Sequence, residues 1–115
     1  MKVIIEAQVQ QNLRQFYDAS LRLHPSLDEA TVTNKIIRLY EAINSLRLFP
    51  YKHPVSAFNR TWIANGYRDL VVEDIHIAYE IAEFEDGEAF VHVVDAEHSL
   101  LHQTNYGLKF LEYEV

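Results

Sequence analysis

The chain has 115 residues, 49% of hydrophobic type, with 3 Gly, 3 Pro, no Cys and a formal net charge of −7. That length fills one hydrophobic core and is too short for two, and without Cys there are no disulfides, thiolate metal sites or thiol nucleophiles. The charge is uneven: residues 1–68 carry nine Lys/Arg against five Asp/Glu, whereas residues 69–115 carry twelve Asp/Glu and only Lys109, an acidic half that repels nucleic-acid phosphates.

The opening MKVIIEAQVQQ lacks the long apolar stretch and small-residue site of a signal peptide. Nothing approaches the roughly 20 apolar residues that span a bilayer. The expectation is a cytoplasmic protein without a membrane segment. No linker, repeat or low-complexity run divides it, so residues 1–115 are read as one domain, with 103–115 as a C-terminal extension.

Val3, Ile4 and Ile5 form a short β-branched run suited to a strand. Val9, Leu13, Phe16, Tyr17 and Leu21 then recur at three and four, the spacing of one helix face. His24-Pro25 ends that helix, because the residue before proline is pushed out of the α region. Ser26 and Glu29 read as a capping box for a second helix. Val32, Ile36, Leu39, Tyr40, Ile43 and Leu46 carry its apolar face to a stop at Pro50. Two helices joined so closely form an antiparallel hairpin.

Residues 50–60 read as a loop punctuated by Pro50, Pro54 and Asn59. After it the period shortens to two. Leu70 and Val72 share one face, as do Ile75, Ile77, Tyr79 and Ile81 in the next strand, while Val91 and Val93 flank His92 in a third. Asp86-Gly87 between the last two strands predicts a type I′ hairpin turn. The tail alternates Leu111, Tyr113 and Val115 with Glu112 and Glu114, and is read as a short final strand, with an amphipathic helical turn as the alternative. The fold class is α+β: an N-terminal strand, a two-helix hairpin, then an antiparallel sheet of three or more strands.

Four segments from Leu46 onward resemble the RelE/ParE superfamily of toxin–antitoxin toxins, the plasmid stabilisation proteins. Leu46 to Pro50 with Pro54 is similar to that family's helix exit. Gly66-Tyr67-Arg68-Asp69-Leu70-Val71-Val72 and Ile75-His76-Ile77-Ala78-Tyr79-Glu80-Ile81 are similar to its two strands. Val91 to His98 is similar to its ending. The order of elements agrees over residues 1–102. The resemblance implies a growth-inhibiting toxin, a cognate antitoxin as partner, DNA gyrase or the ribosome as target, no cofactor, and either a homodimer or a toxin–antitoxin hetero-oligomer.

Family members that cut messenger RNA on the ribosome place cations on successive strands and a His or Arg followed by Tyr near the end. The corresponding residues here are Arg68, His76, His98 and, just beyond, His102 and Tyr106; a further basic position is Leu70. Phosphodiester cleavage needs a proton acceptor, a proton donor and cations around phosphorus. His76, His98 and Tyr106 are the candidate catalytic groups, with Arg68 as phosphate or target ligand. One guanidinium at the border of an acidic half is poor provision for phosphate, so the ParE-like branch, acting on gyrase without catalysis, is the expectation. Ribosome-dependent mRNA cleavage and a decayed, non-toxic member are the alternatives.

Each candidate also has a structural reading. Arg68 pairs with Asp69, Glu73 or Asp74; His76 is a polar residue on an open sheet face; His92 lines a sheet face. His98 and His102 at i, i+4 are too few ligands for a metal site, and none is assigned. His24 and His53 precede proline in turns. Arg14, Arg22, Lys35, Arg38 and Arg47 make the helix hairpin basic, as a partner contact or a solvated face. Phe58 and Trp62 are either an exposed anchor or part of the core.

Overall fold

The computed structural model describes residues 1–23 and 28–99. His24, Pro25, Ser26, His102, Tyr106 and the expected tail strand lie outside the described residues. The elements are β1 (Lys2–Ile5), α1 (Ala7–Leu23), α2 (Glu29–Ser45), α3 (Arg60–Asn65), β2 (Arg68–Val72), β3 (Ile75–Glu83) and β4 (Ala89–His98). The order in the single sheet is β1-β4-β3-β2.

The strands of the second half are antiparallel to one another. The sheet is nonetheless mixed, because β1 returns to pair in parallel with β4, Val3 opposite Val91 and Ile5 opposite Val93. The long crossover through both helices makes that possible. α1 and α2 lie on one face, α1 against β4 and α2 against β2. Val9 and Leu13 of α1, Leu39 and Ile43 of α2, and Leu70, Ile77, Tyr79, Val91 and Val93 of the sheet form the core between them. We call this the inner face.

Two local expectations change. The cap of α2 is Asp28, whose carboxylate accepts the Thr31 N–H at 2.7 Å, so the helix starts at Glu29 rather than after Ser26. The aspartate side chain reaches the orphan donors of the first turn just as a serine hydroxyl would. The β3–β4 turn is not type I′: Gly87 has φ 85 and Asp86 is not in the positive region. The Gly87 N–H donates to Phe84 O and the Phe84 N–H to Glu88 O, each at 2.9 Å. That is a type I turn closed by a glycine bulge.

The segment before β2 builds a partial second layer on the opposite, outer face. Pro54 and Ser56 pair with the edge of β2, through Asp69 N–H to Pro54 O at 2.9 Å and Ser56 N–H to Tyr67 O at 2.8 Å. Asn59 then caps α3 by accepting from the Thr61 and Trp62 N–H groups. Gly66, at φ 69, ends the helix in the left-handed conformation that glycine adopts without a Cβ clash. Sequence reading assigns no helix there. Trp62 is 1% exposed, and its indole donates to Asp95 at 3.0 Å. It is a core residue of the outer layer, not an exposed anchor.

One irregularity decides which residues face which layer. The β3–β4 register slips between Ala78, opposite Asp95, and Tyr79, opposite Val93. Val94 is the extra residue, a β-bulge. Beyond it the alternation of β4 reverses, so that Ala96 and His98 join the inner face while Asp95 and Glu97 turn outward.

Candidate functional site

His76 projects from β3 onto the outer face, where β2 supplies its partner. The two-residue connection Glu73-Asp74 sets Val71 opposite His76 and Asp69 opposite Ala78, so Asp69 lies diagonally beside the imidazole. The Nδ1 of His76 lies 2.9 and 3.1 Å from the two Asp69 oxygens. The side chains are only 15% and 9% exposed. Ser56 Oγ donates to Asp69 at 3.4 Å and accepts the Phe58 N–H at 3.1 Å. The Phe58 ring stacks on the imidazole, 3.8 Å between centroids and 6° from parallel. In the neutral ring this carboxylate favours the tautomer with the proton on Nδ1, which leaves Nε2 as the acceptor. A shallow groove lined by His53, Pro54, Val55 and Val71 runs beside it.

The other predicted groups are elsewhere. Arg68 shares the inner-face parity of Leu70 and stands opposite Tyr79. Its guanidinium donates to His53 O at 2.6 Å and lies over the Tyr51 ring, 5.3 Å from the centroid. Tyr79 donates to Pro50 O at 2.8 Å. Both side chains therefore pin the 50–54 loop, and Arg68 pairs with none of Asp69, Glu73 or Asp74 among the salt bridges of the described residues. Burial holds the Tyr79 hydroxyl above its ordinary pKa. Burial also lowers His53, with Lys52 adding to the effect.

His98 is inner-facing. It is opposite Ile75, pairs through Nε2 with Asp74 at 2.9 Å, and meets the Phe16 ring edge-on at 5.9 Å. Arg68 and His98 sit at opposite ends of the β2–β4 rows, four residues apart along β2, or roughly 13 Å. His76 is on the other side of the sheet from both. The described members of the predicted set thus share no common point, and Tyr106 lies outside the described residues.

The basic helix face is partly spent on structure. Lys35 reaches Asp74 at 2.7 Å and Glu73 at 3.5 Å, and Arg38 reaches Glu73 at 2.7 Å. Burial alone would raise the Asp74 pKa, but Lys35 and His98 outweigh it and hold the carboxyl below its usual value.

His92, on the outer face of β4, is a group whose surroundings the sequence left unread. Its Nδ1 lies 3.1 Å from Glu80 and its Nε2 2.5 Å from Glu6. Burial disfavours the charged imidazole, yet the two carboxylates more than compensate and raise its pKa. Across β2, β3 and β4 the outward positions carry Asp69, His76, Glu80, His92, Asp95 and Glu97 and no Lys or Arg.

Compared with protein-family models and with curated proteins, the sequence has no match in either. No helix among the described residues is long and apolar enough to cross a membrane.

Proposed function

We propose that the chain is the toxin of a toxin–antitoxin (plasmid stabilisation) pair. In this reading it is ParE-like: it works in the cytoplasm by binding a cellular target such as DNA gyrase, without cutting RNA, and a cognate antitoxin silences it. The single observation that carries the non-nucleolytic form is the commitment of Arg68 to the 50–54 loop, on the opposite side of the sheet from His76. A phosphodiester at His76 would meet Asp69, Asp95 and Glu97 with no guanidinium or ammonium from β2–β4 to balance them.

Induced expression in a bacterium, with growth, messenger integrity and DNA supercoiling scored in one culture, tests the proposal. Growth arrest with altered supercoiling and intact messenger is the expected result. Normal growth at full expression would place the chain among decayed members.

A second reading has one observation in its favour. The Asp69–His76 pair is the arrangement that prepares an imidazole as general base. It belongs to the ribonuclease alternative, in which His53, on the rim of the same groove, is better placed than His98 to be the second imidazole. Messenger cleavage lost in His76→Gln and kept in His98→Gln is the outcome that reading predicts.

A further inference from the structure

The outer layer ends before it covers the whole sheet. Phe58, Asn59 and Trp62 engage His76, Glu97 and Asp95, all toward one end of the β3–β4 ladder. Toward the other end Ile4 of β1 stands opposite His92, and Ala82 stands opposite Phe90. Ile4 is 38% exposed. Phe84 and Phe90 stack on each other, 4.3 Å between centroids, and both are half-buried. Around this apolar centre stand Glu6, 51% exposed, and Glu80, 40% exposed, each meeting His92 through Oε1, and Glu88, also exposed. Lys2 is the one cation at outward positions of β1, and residues 69–99 contain no Lys or Arg.

We propose that this acid-rimmed part of the outer face docks a basic amphipathic helix from a partner protein. The occupant's apolar ridge covers Ile4, Phe84 and Phe90, and its flanking Lys or Arg side chains meet Glu6, Glu80 and Glu88. Charge decides the class of partner: nucleic acid and anionic lipid are repelled by the same acids that attract a basic helix. A single helix ridge laid on a sheet face fits the strip that crosses β1, β4 and β3 at this end of the sheet. In the toxin reading, on which the identity of the partner rests, that helix belongs to the antitoxin.

The test uses the full chain, isotopically labelled, and two synthetic helices of about five turns. Both carry the same leucine ridge, one flanked by Lys and the other by Glu. The Lys helix is expected to bind, shifting the amides of Ile4, Glu80 and Phe90. Its affinity is expected to fall about tenfold or more in the folded double variant Glu80→Lys with Glu88→Lys. Equal binding of the two helices, shifts centred on α1 and α2, unchanged affinity in the variant, or no binding of the Lys helix up to about 1 mM would each overturn the proposal. Growth arrest on induction is read separately: arrest without helix binding removes this surface and leaves the toxin reading, and binding without arrest does the reverse.

Discussion

His92 is held between Glu80 at 3.1 Å and Glu6 at 2.5 Å, one carboxylate on each ring nitrogen. A neutral imidazole has one N–H and satisfies one acceptor; only the imidazolium donates to both. The contact ties β4 to β3 on one side and to the β1–α1 junction on the other. The charged groups facing the ring are therefore Glu6 and Glu80, with Lys2 on the same face of β1.

Stability is expected to follow from that geometry. The folded pKa of His92 is raised above 6.5, so its contribution is fully present below the unfolded value and is lost as pH rises through the folded one. Urea midpoints of the wild type and His92→Gln, compared from about pH 6 to pH 8, should show a gap that narrows with rising pH. A gap that stays constant would contradict the paired imidazolium.

Asp69 is expected to be structural whatever else it does. Asp69→Ala leaves the His76 Nδ1–H and the Ser56 hydroxyl without their buried acceptor, a loss of about 2–3 kcal/mol. Asp69→Asn keeps one acceptor oxygen and should cost about 1 kcal/mol. Denaturation of both variants gives these values, and nitrogen NMR of His76 should find the neutral ring protonated at Nδ1 in the wild type.

The chain has 1 Trp, so its fluorescence reports the outer layer directly. Trp62 is 1% exposed and bonded to Asp95, so its emission should be that of a buried indole. Trp62→Phe leaves Asp95 without that donor and should destabilise by about 1–2 kcal/mol. Asn59→Ala should red-shift the emission through loss of the α3 cap before global unfolding. An emission already that of exposed indole in the native protein would show that α3 does not sit on the sheet.

Much of this architecture is legible in the residues. The β-branched run of β1, the three-and-four spacing of Val9, Leu13 and Phe16, and the alternation of Ile75, Ile77 and Tyr79 each follow from a single period. α3 was missed because six residues carry too little periodicity, although Asn59 and Gly66 are the caps that mark it. Two members of the expected site stand apart from His76: Arg68, whose parity with Leu70 was readable, and His98, which strict alternation from Val91 and Val93 puts on the same side as His92 and His76. The bulge at Val94 reverses it, and neither Gly nor Pro in the strand announces the slip. The Asp69–His76 pair was within reach, since a two-residue turn at Glu73-Asp74 fixes that diagonal.

Glu73 has φ 56, the one positive value outside glycine among the described residues. Its pairing with Arg38 and Lys35 is exposed and worth at most about 1 kcal/mol. Glu73→Gly should thus be near neutral, the relieved backbone offsetting the lost pairs. Glu73→Val, β-branched in that conformation, should cost about 1–3 kcal/mol. Equal stability of the two variants would show that the turn has relaxed out of the left-handed region.

The most direct measurement is cleavage of a translated messenger by the purified protein on ribosomes, mapped to nucleotide resolution. The account predicts no cleavage above that of an inactive control, because Arg68 is bound to the His53 carbonyl on the other face and no Lys or Arg of β2–β4 shares the face of His76. Codon-specific cuts that disappear in His76→Gln or in Arg68→Ala would contradict it.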